Sequence, residues 1–316
     1  MINRLRFLKR LYSSHSFFGW DGYIKLVNLH CQALSSDENK RWNANEAIHL
    51  MMRNYIDNNW SQYRIQKYQG CKAKRSDIDD QNIWVCWLQG EDHMPDVVRI
   101  CYKRLKKYSN GHRVILITWE NLNEYLEISP IIKEKIGKEL SFIAFSDYLR
   151  LNLLSIYGGL WIDSTFYITA PLDESIFHTK FFSIKNNIKS NAIVCRYLWA
   201  VNFVYCEKNC EYIQHIRNLF STFWEKSKKS VNYLFLDYCF EFERLSNPEF
   251  DKYLTEMPYN NEHSHEIREH YNDTYSEDVW NKWTSNTTLF KLSYKGLLKT
   301  ETSDGKMTNY GYVLSH

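Results

Sequence analysis

The sequence predicts an α/β protein led by a helical segment, on three observations. Between Ile83 and Thr118 a strand, a helix and a second strand follow one another with the spacing of a right-handed parallel crossover. Between Phe145 and Thr165 the stretch FSDYLRLNLLSIYGGLWIDST passes from a helix through a glycine pair into a short apolar strand that ends on an acid. Ahead of both, residues 1–80 are polar and carry helical spacing without a strand pattern. The expected division is therefore an N-terminal helical extension over 1–80 and an α/β domain over 81–316.

In chain order, EAIHLMMRNYIDNNW, Glu46–Trp60, is the best amphipathic helix of the extension, and GCKAKRSDIDDQN, Gly70–Asn82, has the composition of a linker. IWVCWL from Ile83 is a buried strand that closes on Gln89 and Gly90. Pro95–Tyr108 is a helix that turns Val97, Val98, Cys101 and Leu105 inward, and Asn110-Gly111 stops it. RVILIT, Arg113–Thr118, is the next strand, followed by short helical pieces at Leu122–Leu126 and Pro130–Ile136. The motif helix carries Phe145, Leu149, Leu153 and Ile156 as its apolar stripe. Gly158 and Gly159 release the chain, and Leu160, Trp161 and Ile162 form a buried strand. Beyond Pro171 come KFFSI as a strand, helices near Glu211–Lys226 and Val231–Glu243, a polar loop over Asn260–Thr284 and the strand TLFKLSY.

Composition excludes several classes. With 44% hydrophobic residues the chain is neither disordered nor too short for a large core. A net charge of +3 is too balanced to predict nucleic-acid binding. The eight cysteines include no C-x-x-C pair, which fits reduced thiols in a cytoplasm. No apolar run is long enough to span a bilayer. NRLRFLKRLY, Asn3–Tyr12, interleaves basic and apolar residues and suits an anionic membrane surface as well as a short packed helix. His263, His265 and His270 sit in a polar stretch and read as exposed side chains more readily than as a zinc site.

The chemistry concentrates at the motif. Asp147 and Arg150 stand three apart and point to one side of a helix, and Asp163 lies at the carboxyl end of a buried strand, the edge at which α/β sheets bind ligands. The structural alternatives are a buried ion pair for Asp147 and Arg150 and a turn cap for Asp163.

The pattern S-D-x-x-R, a leucine-rich helix and Y-G-G-x-x-x-D-x-T resembles glycosyltransferase family 32 and especially its capsular polysaccharide synthesis branch. The resemblance spans roughly residues 80–312, through Ile83–Val98, Tyr197–Asn209, Val231–Phe242 and Phe290–Lys295. It implies a GT-A type nucleotide-sugar-binding fold: a Rossmann-like mixed sheet flanked by helices. It further implies transfer of a hexose from a nucleotide sugar, a UDP-sugar in most similar enzymes, with retention. The acceptor would be a growing capsular or other cell-surface polysaccharide, as a lipid-linked chain or an oligosaccharide. By resemblance Asp163 holds the donor ribose and, with Thr165, Mn²⁺ or Mg²⁺; Asp147 and Arg150 hold the hexose; and Trp87 stacks on the base. Lys291 and Lys295 lie near the C-terminus, where a lid would bring their ammonium groups onto the diphosphate, with Tyr294 and Tyr310 as weaker lid candidates; the alternative is that both lysines are simply solvated. The work would be done in the cytoplasm, with peripheral contact at the inner face of the plasma membrane. Thr165 departs from the D-x-D of many relatives, and a hydroxyl is a weaker metal ligand than a carboxylate. Two other readings compete at this strand end, one from the loss of the second carboxylate and one from the apolar strand that ends in Asp163-Ser164-Thr165. A catalytically silent nucleotide-sugar-binding or scaffolding subunit remains open, whereas a haloacid-dehalogenase-type phosphotransferase lacks the second aspartate it needs.

Overall fold

The protein is described by a computed structural model over Tyr12 and residues 14–316. The basic segment expected to meet a membrane lies, apart from Tyr12, outside the described residues. No helix among those described is long and apolar enough to cross a membrane.

Among the described residues two helices lead, α1 (His15–Gln32) and α2 (Glu38–Trp60), the second capped by the Asp37 carboxylate on the Lys40 amide. The α/β order then runs β1 (Cys71–Ala73), β2 (Ile83–Cys86), α3 (Asp96–Lys107), β3 (Val114–Ile117), α4 (Leu122–Tyr125), β4 (Leu126–Ile128), α5 (Pro130–Lys135), α6 (Phe142–Tyr157), β5 (Gly159–Ile162) and β6 (Phe166–Ile168). It continues through β7 (Phe181–Ser183), β8 (Phe203–Cys206), α7 (Glu211–Lys226), α8 (Phe235–Ser246), α9 (Pro248–Glu256), α10 (Glu266–Glu269), α11 (Glu277–Thr284), β9 (Leu289–Lys291) and α12 (Asn309–Ser315).

The central sheet has the order β3-β2-β5-β8-β7. β3, β2 and β5 are parallel, as the crossovers require; β8 runs antiparallel to β5, and β7 runs antiparallel to β8. Helices flank this mixed sheet, in agreement with the expected architecture. Side-chain alternation divides its core in two. Trp84 and Trp161, opposite one another in register, face α6 and α7, whereas Ile83, Val85, Leu160 and Ile162 face α3, β6 and β9.

Three local expectations change. The stretch predicted as a linker contributes β1, which pairs with β4 and buries Cys71. The predicted polar loop over 260–284 contains α10 and α11, anchored by buried Ile267, Trp280 and Trp283. The motif helix is buried nearly all round instead of along one stripe, because α7 covers the face opposite the sheet.

α2 and the turn that follows it are joined to the rest by charge pairs on buried glutamates. Arg53 on α2 reaches Glu241, and Arg64 makes a two-pronged pair with Glu243, at 2.6 and 3.0 Å. His49 bonds the Tyr238 hydroxyl at 2.8 Å. Met52 and Ile56 of α2 lie in the larger core cluster.

Candidate active site

Four elements bring the motif residues together. α6 starts on a Ser141 cap and ends at Gly158, whose φ of 76° carries the chain out of the helix. Gly159 follows at φ 96°, where an added Cβ would stand 2.5 Å from the Asn82 carbonyl oxygen. No other residue type allows β5 to leave the helix so closely beside β2. β5 then delivers Asp163 one residue past its end, and the Asp163 amide donates to the Asn202 carbonyl at 3.0 Å. A turn closed by the Phe166 amide on the Asp163 carbonyl, 3.1 Å, holds Thr165 beside it.

The polar groups form one bonded chain. Arg150 is almost fully enclosed; it donates through Nη1 to Asp147 Oδ1 at 2.8 Å and through Nη2 to Asp163 Oδ1 at 3.0 Å. Its guanidinium lies 5.0 Å from the Trp161 ring centroid, and Trp161 Nε1 donates to Asp163 Oδ1 at 3.0 Å. From the other side Lys291 Nζ lies 2.7 Å from both Asp163 Oδ2 and Thr165 Oγ1. Asp147, Arg150, Asp163, Thr165 and Lys291 are thus joined by direct hydrogen bonds.

The two carboxylates respond differently. Burial pushes Asp147 up to about 6, although Arg150 opposes it. Burial would also raise Asp163, but Lys291 and Arg150 outweigh it and hold the group down at about 2.

Beside this chain lies a cavity of about 170 Å³ whose lining includes Lys291, Asn202, Trp199, Asp237, His265 and Leu234. Asp237 accepts the Trp199 indole N–H at 3.0 Å. Burial pushes its carboxyl up to about 7, with Asp147 adding to the effect. Asp237, Trp199 and the enclosed side of His265 are not marked by the motif or by its resemblance. The available signal was a lone carboxylate within the apolar run LFLDYCF, since acids are seldom buried without a role or a partner. His265, expected on an exposed loop, is half-buried, and its Nδ1 is enclosed without a hydrogen-bond partner.

The remaining candidates are spread more widely. Trp87 follows β2, donates from Nε1 to the His93 carbonyl at 3.2 Å and meets Tyr294 edge-on at 5.5 Å. Trp84 is core, bonded to the Gly158 carbonyl at 2.9 Å. Lys295 is exposed beside the Tyr294 ring and stands outside the bonded chain. Tyr310 packs against Tyr271 in the core.

Asp163 and Thr165 offer one carboxylate and one hydroxyl, and both are engaged by the Lys291 ammonium. Among the described residues no three His, Cys, Asp or Glu side chains converge as a metal-binding group. Hard divalent cations favour several anionic oxygens. A dication there would have to displace the Lys291 ammonium from both oxygens. The donor set in this arrangement does not fit a divalent metal, and no chemical step below passes through one.

The profile of the family described as capsular polysaccharide synthesis protein matches residues 32–311, so the match takes in α2 as well as the sheet. No match was found among the curated proteins. Among solved structures, the chain is similar to the PaToxG glycosyltransferase with 13% sequence identity and a TM-score of 0.40, over 67% of this chain and 83% of that one.

Proposed function

This chain belongs to the capsular polysaccharide synthesis protein family, and from that premise we propose that it is a GT-A type hexosyltransferase using a nucleotide sugar. The donor we propose is a UDP-sugar. The acceptor is a growing capsular or cell-surface polysaccharide, lipid-linked or free, met at the inner face of the plasma membrane. The observation that carries this reading is the bonded chain from Asp147 through Arg150 and Asp163 to Lys291, standing at the carboxyl end of β5 and opening beside a cavity.

Transfer breaks the bond between the anomeric carbon and a diphosphate oxygen, which leaves with the electron pair. The acceptor hydroxyl oxygen bonds to the same carbon, and its proton passes to the departing diphosphate. A retaining course brings the acceptor to the face the diphosphate leaves. Negative charge therefore grows on the diphosphate, where an ammonium stabilises it. We assign that task to Lys291, with Lys295 as a second cation on the loop beyond. Arg150 and Asp147 hold the hexose hydroxyls, and Asp163, kept ionised by its two cations, accepts from the donor ribose. Trp87 and Tyr294 form the aromatic contact for the base. Asp237, in the cavity, is suited to bonding a sugar hydroxyl in either protonation state.

Incubation of the full chain with UDP- and GDP-hexoses tests the reading through donor hydrolysis without acceptor. Hydrolysis of one donor, lowered roughly a thousandfold by Asp163→Ala with unchanged circular dichroism, is the expected outcome. Nucleotide binding without turnover would instead identify a silent binding subunit.

A further inference from the structure

Building on the nucleotide-sugar reading, we propose that the Lys291 ammonium takes the place of the divalent cation, so that the nucleoside diphosphate binds and leaves without a metal. Position is the first argument. Nζ bridges Asp163 Oδ2 and Thr165 Oγ1 at 2.7 Å each, the two oxygens a cation at this motif would engage. Anchorage is the second. Lys291 is not on a mobile lid but in β9, paired with Phe166 of β6. Its amide donates to the Ser264 carbonyl at 2.7 Å, and the next amide, of Leu292, donates to the Thr165 carbonyl at 2.9 Å. The Phe166 ring lies 5.3 Å from the ammonium. β6, which starts one residue after Thr165, is therefore paired with the strand that carries the cation, and the cation stays with the carboxylate.

Availability is the third argument. An ammonium has three N–H groups, and Nζ spends two of them within the chain of bonds. Lys291 also lines the cavity, so the third can serve an anion entering there. Charge is the fourth. Asp147 and Asp163 are already paired with Arg150 and Lys291, so within this bonded chain no carboxylate is left without a cation for a metal to neutralise. As the bond from the anomeric carbon to diphosphate oxygen breaks, the added negative charge falls on a group already beside an ammonium.

The test is calorimetric binding of UDP and of GDP to the full chain, in EDTA and in Mn²⁺, with donor hydrolysis measured alongside. Wild type should bind one nucleotide in EDTA, with Mn²⁺ changing Kd by less than about threefold. Lys291→Met should weaken that binding by about tenfold or more and slow hydrolysis by roughly a hundredfold, while Lys291→Arg recovers much of the binding. Binding that requires Mn²⁺ would overturn the inference and leave the transferase reading standing. Failure of both nucleotides in both conditions would remove the two together. Should Lys291→Met fail to fold, the wild-type comparison alone decides.

Discussion

Asp147 and Asp163 share one guanidinium yet are shifted in opposite directions, and the reason is the count of cations around each. Asp147 has Arg150 against its burial, while Asp163 has Arg150 and Lys291. The spacing of Asp147 and Arg150 was legible in the sequence because helical periodicity is local. Lys291 lies 128 residues from Asp163, so no local pattern joins them. Asp237 carries the clearest pH prediction. Burial raises its carboxyl from the ordinary 3.8 to about 7, so the folded protein keeps a proton that the unfolded chain loses across that window. Stability from this group is therefore lost as pH rises from about 4 to 7. Asp237→Asn should remove the loss, and its stability relative to wild type should rise by roughly 2 kcal/mol between pH 5 and pH 7.5 in urea unfolding. A difference that is the same at both pH values would contradict the buried-acid account.

Among the elements, the connection from α6 to β5 depends most on one residue type. Gly159 combines a φ of 96° with a Cβ position 2.5 Å from a backbone oxygen that has little room to retreat, because β2 is paired on both sides. Gly159→Ala is expected to cost about 2 kcal/mol or more in chemical unfolding and to shift the Asp163 strand end, lowering activity with it. A neutral result would mean that the helix and strand can separate at no cost. The glycine pair and the apolar strand could be read from sequence because both are properties of adjacent residues. β1 could not, since three residues in a polar stretch carry no period, and only pairing with β4 makes them a strand. α11 was missed for a related reason: its apolar contribution is two tryptophans in a polar segment, decisive only once they are buried.

At the scale of the whole molecule, α2 behaves as part of the core. Glu243 is almost wholly enclosed and receives Arg64 and His215. Removing one partner of such a buried pair leaves the other charge uncompensated, and Glu243→Ala should cost roughly 3–5 kcal/mol. Thermal or urea unfolding checks this; a loss no larger than that of an exposed pair would mean that the segment just after α2 is not held by its pairing with Glu243. The family match beginning at residue 32 is consistent with this attachment, as it includes α2 with the sheet.

What the sequence determined by itself was the order of strand, helix and strand, the helix-to-strand turn at Gly158 and Gly159, and the placing of Asp163 at a strand end. All of these follow from periodicity and backbone freedom within about twenty residues. Which charges meet, by contrast, depends on how the chain folds. The ammonium on Asp163 and Thr165, the Asp237 cavity and the ion pairs that hold α2 all join residues far apart in the chain. Their energies depend on burial and distance, and neither exists until the chain has folded.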